Sequence, residues 1–271
     1  MRILKAILIG DVVGDAGMDV LSNRLPHLIK EYSANFVTVN GENAADGFGL
    51  TGPILERIFA AGVDVVTGGN HIWEKREFWP FLESEERVLR PLNYPAGSPG
   101  RGWVKQEKAS PWGGEPISWT VVNLQGRELM SSIDCPFRAF DTFEAGRGEA
   151  AVKPIILVDF HAESTKEKEA LAYYLDGRAS VVVGTHTHVQ TSDERILPKG
   201  TAYITDLGMT GALDSIIGMD PKICLDRARN QVLYRMEVAA LTAEGRAAVQ
   251  GVIVEIDSES GKAVSVKRIS A

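Results

Sequence analysis

Two histidines separated by a single threonine, His186 and His188, end the apolar run in VVVGTHTHVQ. In an extended chain, residues i and i+2 point to the same side, roughly 7 Å apart, so both imidazoles would lie at the mouth of a buried strand. Imidazole is the commonest metal-binding side chain. A lone histidine is more simply explained as a paired or solvated residue, but a pair at this spacing favours a metal site.

Polar residues follow the other predicted strands in the same way. In chain order they are Asp11, Glu42, Asn43, Asn70, His71 and His161. Since the carboxyl ends of strands in an open α/β sheet line the ligand crevice, these side chains are expected to lie together. Taken singly, each is explained as well by a helix cap, a tight turn or a solvated loop. Their coincidence at one edge of a sheet favours the metal site.

The types of these side chains indicate which ions they would bind. Imidazole, carboxylate and amide groups without a thiolate suit iron, manganese or zinc. These candidate ligands are too many for one ion and about right for two ions that share a bridging carboxylate, ~3.5–4 Å apart. Two divalent ions offset by Asp11 and Glu42 leave a positive pocket in a chain of net charge −7. This combination predicts a phosphate-ester site.

Short β-branched runs alternate with amphipathic segments along most of the chain. Strands are predicted at 3–9, 36–39, 63–67, 117–123, 155–159 and 181–184, and helices at 18–32, 54–61, 74–83 and 165–175. Such βα units predict parallel pairing in a layered α/β fold. Residues 94–115, rich in Gly, Pro and Trp, are expected to form a long surface connection. Alternation at 232–241, 250–257 and 263–269 predicts an antiparallel meander. We expect a single domain, residues 1–271, with two packed sheets.

Composition limits the classes of partner and compartment. The acidic net charge of −7 argues against a nucleic-acid polymer or an anionic membrane as the main partner. Two distant cysteines, Cys135 and Cys224, fit a reducing, cytoplasmic setting without disulfides. Lys5 and Asp11 bound the first apolar run, so no signal peptide is expected. The phosphate-loop templates and the GxSxG nucleophile motif do not match.

The blocks GDVVG, NGEN, GGNH and GTHTH together resemble the five-block signature of the calcineurin-like metallophosphoesterases. The longer segments NGENAADGFGLT, GNHIW, DFHAE and ILPKGTAYITDLGMTG are similar to those of the YmdB-like bacterial cyclic-nucleotide phosphodiesterases over essentially the whole chain. The general pattern begins D-x-H, but Val13 stands where that histidine belongs, and Glu42 replaces a typical aspartate. Both departures are those of the YmdB-like subfamily.

The resemblance implies a fold, a metal content and a set of ligands. The fold is a four-layer αββα sandwich, and the cofactors are two metal ions per chain, iron in the first place, with manganese or zinc as alternatives. The implied ligands of the first ion are Asp11, Glu42, Asn43 and His188. Those of the second ion are Glu42, Asn70, His161 and His186, so that Glu42 bridges.

The resemblance also implies a reaction. Metal-bound hydroxide would attack the phosphorus of a 2′,3′- or 3′,5′-cyclic nucleotide, and His71 would act as the general acid. Two alternatives stay open, a nucleotide-sensing regulator with little turnover and a metal-dependent amidohydrolase. Arg127 either contacts the substrate phosphate or is a solvated loop residue, and a homo-oligomer is left open.

Overall fold

The computed structural model of the protein describes residues 2–148, 154–243 and 245–271. The strands are β1 (Ile3–Ile9), β2 (Asp11–Val12), β3 (Phe36–Asn40), β4 (Val65–Thr67), β5 (Trp103–Lys108), β6 (Ile117–Gln125), β7 (Ile155–His161), β8 (Val181–Thr185), β9 (Arg195–Ile196), β10 (Ala202–Ile204), β11 (Met209–Ala212), β12 (Ala247–Ala248), β13 (Gln250–Asp257) and β14 (Ala263–Ser270). The helices are α1 (Gly14–Tyr32), α2 (Gly52–Ala60), α3 (Trp79–Ser84), α4 (Pro136–Gly146), α5 (Thr165–Leu175) and α6 (Pro221–Asn230). None of these helices combines the length and the apolarity needed to cross a membrane.

Two mixed sheets and a small third one contain all the strands named above. The first sheet has the order β14-β13-β1-β3-β4, in which β1, β3 and β4 are parallel and β13 is antiparallel to β1. The second has the order β5-β6-β7-β8-β10-β9, with β6, β7, β8 and β10 parallel. The third pairs β11 with β2 and β12. These are open sheets, not the eight-stranded barrel that the amidohydrolase alternative requires.

The two-residue period of β1 explains how the first sheet is covered on both faces. Leu4 and Leu8 lie in an apolar cluster with side chains of the second sheet, such as Leu157. Ile7 and Ile9 point the other way, into a cluster with the helices α1 and α2. Successive side chains of a strand face opposite sides, so one apolar run serves both clusters. The prediction of an α/β fold whose βα units pair in parallel is confirmed, in sheets that also contain antiparallel strands.

The first helix begins earlier than its sequence pattern indicates. A start at residue 18 was expected, whereas α1 begins at Gly14. Glycine is a poor helix former, which hid the first turn. Gly17 is required there by close packing, because a Cβ atom on it would lie 2.4 Å from the carbonyl oxygen of Thr210 in β11. The remaining predicted helices differ mainly at their ends, and 74–83 divides into a 3-10 turn, Arg76–Phe78, and α3.

Two predictions about the less regular segments are wrong. The connection at 94–115 contains β5, which pairs with β6 in the second sheet. The segment 232–241 is not a strand, so the predicted meander reduces to the hairpin of β13 and β14. A segment with alternating apolar and polar residues forms a strand only where the edge of a neighbouring strand can accept its hydrogen bonds. Val238 makes just an isolated bridge to Met219.

Candidate metal centre

The predicted site residues lie where parallel strands of both sheets end. Asp11 is in β2, directly after β1, and His161 is the last residue of β7. The residues that follow β3, β4 and β8 supply the others: Glu42, Asn43, Asn70, His71, His186 and His188. One carboxylate oxygen of Asp11, one of Glu42 and a ring nitrogen of His161 lie within 4.8 Å of one another, and all three residues are buried.

The densest part of this site surrounds His161 Nε2. Glu42 Oε1 lies 2.9 Å from that nitrogen, and Asn70 Oδ1 and His186 Nδ1 each lie 3.1 Å from it. One ring nitrogen carries at most one proton, which cannot satisfy three neighbours. Donor atoms spaced by about 3 Å fit a metal shell, since ligands ~2.1 Å from a tetrahedral ion are ~3.4 Å apart. These are the four ligands predicted for the second ion.

The other half of the site is more open. Asp11 Oδ1 lies 3.8 Å from His188 Nε2 and also 3.8 Å from His161 Nδ1. Asn43 lines the same pocket as Glu42 and His188, and its amide nitrogen donates to the Gly47 carbonyl at 2.8 Å. This bond fixes which end of the amide is the oxygen. Three of the four ligands predicted for the first ion, Glu42, Asn43 and His188, thus line one pocket, and Asp11 lies beside His188.

Unsatisfied oxygens test whether a cation fits. Asp11 Oδ1, Glu42 Oε1 and Asn43 Oδ1 are buried and find no hydrogen-bond partner among the described residues. Leaving buried polar atoms unpaired is costly, so each one needs an explanation. All three belong to predicted ligands, and an ion would satisfy them together. The carboxylate, amide and imidazole groups of this site therefore fit a hard or borderline metal ion.

A hydrogen-bonded chain beneath the site orients His161. Its Nδ1 donates to Thr185 Oγ1 at 3.0 Å, and the Thr185 hydroxyl donates to Asp159 Oδ1 at 2.7 Å. Asp159 Oδ2 accepts from the Thr67 hydroxyl and from Asn40 Nδ2, which links β7 to the first sheet. With Nδ1 occupied as a donor, Nε2 is the nitrogen that faces the other candidate ligands. Partners of this kind fix the tautomer of metal-binding histidines.

The other two imidazoles are oriented in a similar way. His188 Nδ1 donates to the Ile217 carbonyl at 2.9 Å, which leaves Nε2 towards Asp11. His186 Nε2 lies 3.2 Å from Glu163 Oε2, which leaves Nδ1 towards the dense half of the site. Each of the three histidines thus presents one ring nitrogen to the pocket and has the other next to an acceptor.

A buried ion pair holds the residue between His186 and His188. Asp206 Oδ2 accepts from the Thr187 backbone N–H at 3.2 Å and from its hydroxyl at 2.5 Å. Lys168 Nζ donates to the same carboxylate at 2.8 Å and to Thr187 Oγ1 at 3.0 Å, and both charged side chains are at most 1% exposed. The two histidines have φ values of 93° and 61°, which non-glycine residues rarely adopt. The ion pair of Lys168 and Asp206 therefore holds a strained turn.

The charges at the site are strongly coupled. Burial would lower the pKa of His161, but the charges of Glu42, Asp11 and Asp159 outweigh it and raise the pKa to about 9. Burial likewise opposes ionisation of Glu42, yet the charge of His161 lowers its pKa to about 2. For His186, burial and the neighbouring His161 charge lower the pKa to about 3, so its ring is neutral near pH 7. Neutral imidazole is the form that binds metals.

His71 lies beside this cluster, not in it. Its backbone N–H donates to Glu42 Oε2 at 2.9 Å, and its Nδ1 lies 3.4 Å from Glu74 Oε1. Its ring meets Phe48 edge-on, with ring centroids 5.0 Å apart. The pocket that contains it has a volume of about 200 Å³ and is lined by Glu42, Asn43, Phe48, His71, His186, His188, Ile217, Met219 and Met236.

The departure at Val13 has a structural explanation. Val13 is 2% exposed and packs in an apolar cluster with Met209 and Met219. It contacts Gly218 so closely that a Cβ atom there would lie 2.6 Å from Val13 Cγ1. The valine therefore supports the turn that carries the Ile217 carbonyl to His188, and a polar imidazole would lose this packing.

Two residues noted in the sequence, and the fifth histidine of the chain, lie elsewhere. Arg127 lines a separate cavity of about 700 Å³ beside α4, so contact with the substrate phosphate, one of the two alternatives for this residue, gains no support. Cys135 precedes α4 and lines that same cavity. His27 is exposed on α1 and bonds to the Asn23 carbonyl at 2.9 Å.

Sequence reasoning missed the residues that support the ligands. Asp159 stands two positions before His161 on one strand, so a two-residue period could have placed both on the same side. Thr185 ends the neighbouring strand, in register with His161. Ile217 and Glu163 gave no comparable signal, because one acts through its carbonyl and the other is an ordinary loop glutamate.

Comparison with known proteins identifies the family of the chain. The model of the family described as YmdB-like protein matches residues 7–269. The 2′,3′-cyclic-nucleotide 2′-phosphodiesterase of Bacillus subtilis (strain 168) is 46% identical over 267 residues, which cover 98% of this chain and 96% of that protein. A solved structure titled a novel phosphatase from Mycoplasma pneumoniae has a TM-score of 0.90 and 32% identity, covering 100% of this chain and 94% of its own. A Thermus thermophilus protein, titled hypothetical, gives 0.86 and 40%, covering 99% of both chains.

Proposed function

Since the chain belongs to the YmdB-like protein family, we propose that it is a metal-dependent phosphodiesterase that acts on cyclic nucleotides. Membership makes it a phosphoric ester hydrolase, and the Bacillus subtilis relative is named for 2′,3′-cyclic nucleotides. That substrate class is the first candidate, and 3′,5′-cyclic nucleotides are the second. The observation that carries the proposal is the convergence of donor atoms from both sheets around His161 Nε2, next to three unsatisfied buried oxygens.

The proposed ligands divide between two ions. Asp11, Asn43 and His188 would hold the first, Asn70, His161 and His186 would hold the second, and Glu42 would contact both. Glu42 suits this role because both its oxygens are buried at the junction of the two halves, with one against His161 and one against the backbone of His71. When bound, the two ions supply positive charge to the phosphoryl oxygens and acidify a water molecule.

His71 is the proposed proton donor. Its backbone is fixed by Glu42, so its ring lies at the pocket without being used as a ligand. Glu74 Oε1 lies 3.4 Å from the ring nitrogen Nδ1 of His71. The ring would give its proton to the leaving alkoxide of the ribose, which departs poorly as an anion.

The test compares two leaving groups in the His71→Ala variant. A general acid contributes ~10²–10⁴-fold when the leaving group is poor. We expect the variant to keep its bound metal and to lose far more activity on 2′,3′-cyclic AMP than on bis(4-nitrophenyl) phosphate, whose nitrophenolate leaves without a proton. His27→Ala, which removes an exposed imidazole on α1, is the matched control and should behave as wild type.

Each other result has a definite meaning. Loss of metal in His71→Ala would make His71 a ligand. Equal slowing of both substrates would make it a phosphate-positioning residue. Tight nucleotide binding by the wild-type chain without turnover would replace the enzyme by the nucleotide-sensing alternative.

The finer architectural and cellular assignments are also proposals. The three apolar clusters, between α1–α2 and the first sheet, between the two sheets, and between the second sheet and α4–α5, support a four-layer αββα sandwich in one domain. Iron is the proposed metal, with manganese or zinc as alternatives that the same ligand types accept. A small phosphate ester is the proposed partner, and a cytoplasmic location stays a prediction from the cysteine content.

A further inference from the structure

Ile217 has a backbone conformation that isoleucine rarely adopts. It is followed by Gly218, and their φ values are 50° and 89°. Residues Ile216 and Met219 close this two-residue turn with hydrogen bonds of 2.9 and 3.0 Å between their backbone groups. Positive φ at both central residues is the type I′ geometry, which favours Asn-Gly. A β-branched residue at the first of these positions is a strained outlier.

Burial does not explain the isoleucine. Its side chain is 49% exposed, so little apolar surface is removed from water in return for the strain. Its carbonyl accepts a hydrogen bond from His188 Nδ1 at 2.9 Å, but any residue in the same turn would supply that carbonyl. The side chain itself must have another use, since strained residues that persist tend to lie at functional sites.

Ile217 lines the pocket that also contains the predicted ligands Glu42, Asn43, His186 and His188. Phe48, Met219 and Met236 line the same pocket. Neither the side chain of Ile217 nor these three side chains carry an N–H or O–H donor. They form an apolar wall next to a site that is otherwise built for a charged phosphoryl group.

We propose that Ile217 is a specificity-determining residue, kept in its strained turn because its side chain packs against the base of a nucleotide whose phosphate lies at the metal centre. This inference rests on the proposed phosphodiesterase function. A wall without donors contacts the flat face of any base and reads no hydrogen-bonding edge. The chain therefore distinguishes a base-bearing ester from one without a base, and accepts purines and pyrimidines alike.

The test replaces Ile217 by asparagine, which suits the turn but not the wall. Ile217→Asn is expected to raise the midpoint of urea unfolding, because strain is relieved, and to leave the bound metal unchanged. It should lower kcat/KM for 2′,3′-cyclic AMP and 2′,3′-cyclic CMP by ~10-fold, the scale of a lost contact in an apolar pocket, mainly through KM. For ribose 2′,3′-cyclic phosphate, which lacks the base, kcat/KM should stay as in wild type.

The neighbouring residue provides a matched control. Ile216 is 45% exposed in the same turn but does not line the pocket. Ile216→Asn should leave the ratio of kcat/KM values for the base-bearing and base-free substrates at the wild-type value. An unchanged ratio in Ile217→Asn would overturn the proposal. So would a change in sedimentation mass with that ratio unchanged, since Ile217 would then serve contact with a second copy of the chain.

Failure of the proposed function is a separate outcome. If the wild-type chain hydrolyses none of the three substrates, the phosphodiesterase assignment fails. A binding experiment then tests the role of Ile217 without turnover. Equilibrium dialysis of 2′,3′-cyclic AMP should still show weaker binding to Ile217→Asn than to Ile216→Asn. Equal binding to both variants would overturn it.

Discussion

Around His161 Nε2, donor atoms of Glu42, Asn70 and His186 lie within 3.1 Å, whereas Asp11 Oδ1 and His188 Nε2 in the other half of the centre are 3.8 Å apart. The supports differ as well. His161 is held through side chains of the strand core, while His188 is held by the carbonyl of a strained two-residue turn.

This difference bears on the order in which the two halves would bind metal ions. In the dense half, the ligands are already placed by strands of two sheets, so binding an ion requires little rearrangement. In the open half, Asp11 Oδ1 and His188 Nε2 are 3.8 Å apart, more than the ~3.4 Å between ligands of a tetrahedral ion, so binding an ion requires more rearrangement there. We therefore expect the dense half to bind its ion first and more tightly.

The largest effect is expected from a substitution that disables both halves of the site. Glu42→Gln keeps an oxygen ligand but loses the negative charge that two cations would share. We expect both ions to be lost or severely weakened, and hydrolysis of 2′,3′-cyclic AMP to fall by more than ~10³-fold, since losing one charge-stabilising group alone costs ~10²–10³-fold. Metal analysis by mass spectrometry measures the occupancy. Two tightly bound ions with full activity would refute the bridging role.

The next test treats the two halves separately. His188→Gln should leave about one tightly bound ion per chain, because the dense half does not depend on that ring. His161→Gln should abolish tight binding in the dense half and also weaken the open half, since His161 lies 3.8 Å from Asp11. Chelator competition gives both dissociation constants. If instead His188→Gln loses both ions and His161→Gln keeps one, the open half binds its ion first and more tightly, which would contradict the expected order of binding.

How much of these two halves could be predicted from the sequence depends on how far apart along the chain the contacting residues lie. The candidate ligands could be predicted because βα alternation brings strand ends to one crevice, whatever the loop details. The fold class followed from the same periodicity. Lys168, in contrast, reads as part of a solvated helix face in TKEKEALAYYL, and only its pairing with Asp206 reveals that it is buried. Contacts between distant segments leave no local pattern.

The pocket wall shows the same limit. The alternation of apolar and polar residues around Met236 and Val238 predicts a strand, and that prediction is wrong, since in the described part of the chain Val238 makes only an isolated bridge to Met219. The segment instead packs beside Met219 and contributes Met236 to the pocket. The positive φ of Ile217 was equally hidden, since the side chain gives no reason to expect it.

In chelator-treated protein, the free energy of unfolding should depend on pH because of His161 in the dense half. The pKa of His161 is raised from 6.5 to about 9, so its contribution to folding is full below pH 6.5 and is lost as the pH rises through 9. At ~1.4 kcal/mol per pKa unit, the free energy of unfolding should fall by up to ~3 kcal/mol over that range. Urea unfolding at pH 6.5 and 9 measures it, and His161→Gln should abolish the fall. A free energy that rises over this interval would contradict the assignment.

The smallest effect concerns the residue that joins the halves. Thr187 flanks His186 of the dense half and His188 of the open half. Thr187→Val keeps the side-chain volume but removes the hydroxyl bonds to Asp206 and Lys168, so both ions should bind ~10-fold more weakly, at the low end of effects of residues that support ligands. Thr187→Ser should restore binding.

A buried carboxylate elsewhere provides the control for Thr187→Val. Asp176, at the other end of α5, accepts from the backbone N–H groups of Lys199 and Thr201. Asp176→Asn should lower stability without changing either dissociation constant for Mn²⁺. Wild-type metal binding by Thr187→Val would show that the ion pair of Lys168 and Asp206 does not support metal binding through Thr187.

We propose that a two-ion centre, formed where the strands of two sheets end, hydrolyses the phosphodiester. The most direct test of this proposal is a titration of the chelator-stripped chain with Mn²⁺, in which bound metal and hydrolysis of 2′,3′-cyclic AMP are measured in the same samples. We predict that a first equivalent binds tightly with little activity, and that activity rises only as the second equivalent binds. Full activity at one equivalent, or hydrolysis by the stripped chain, would contradict the account.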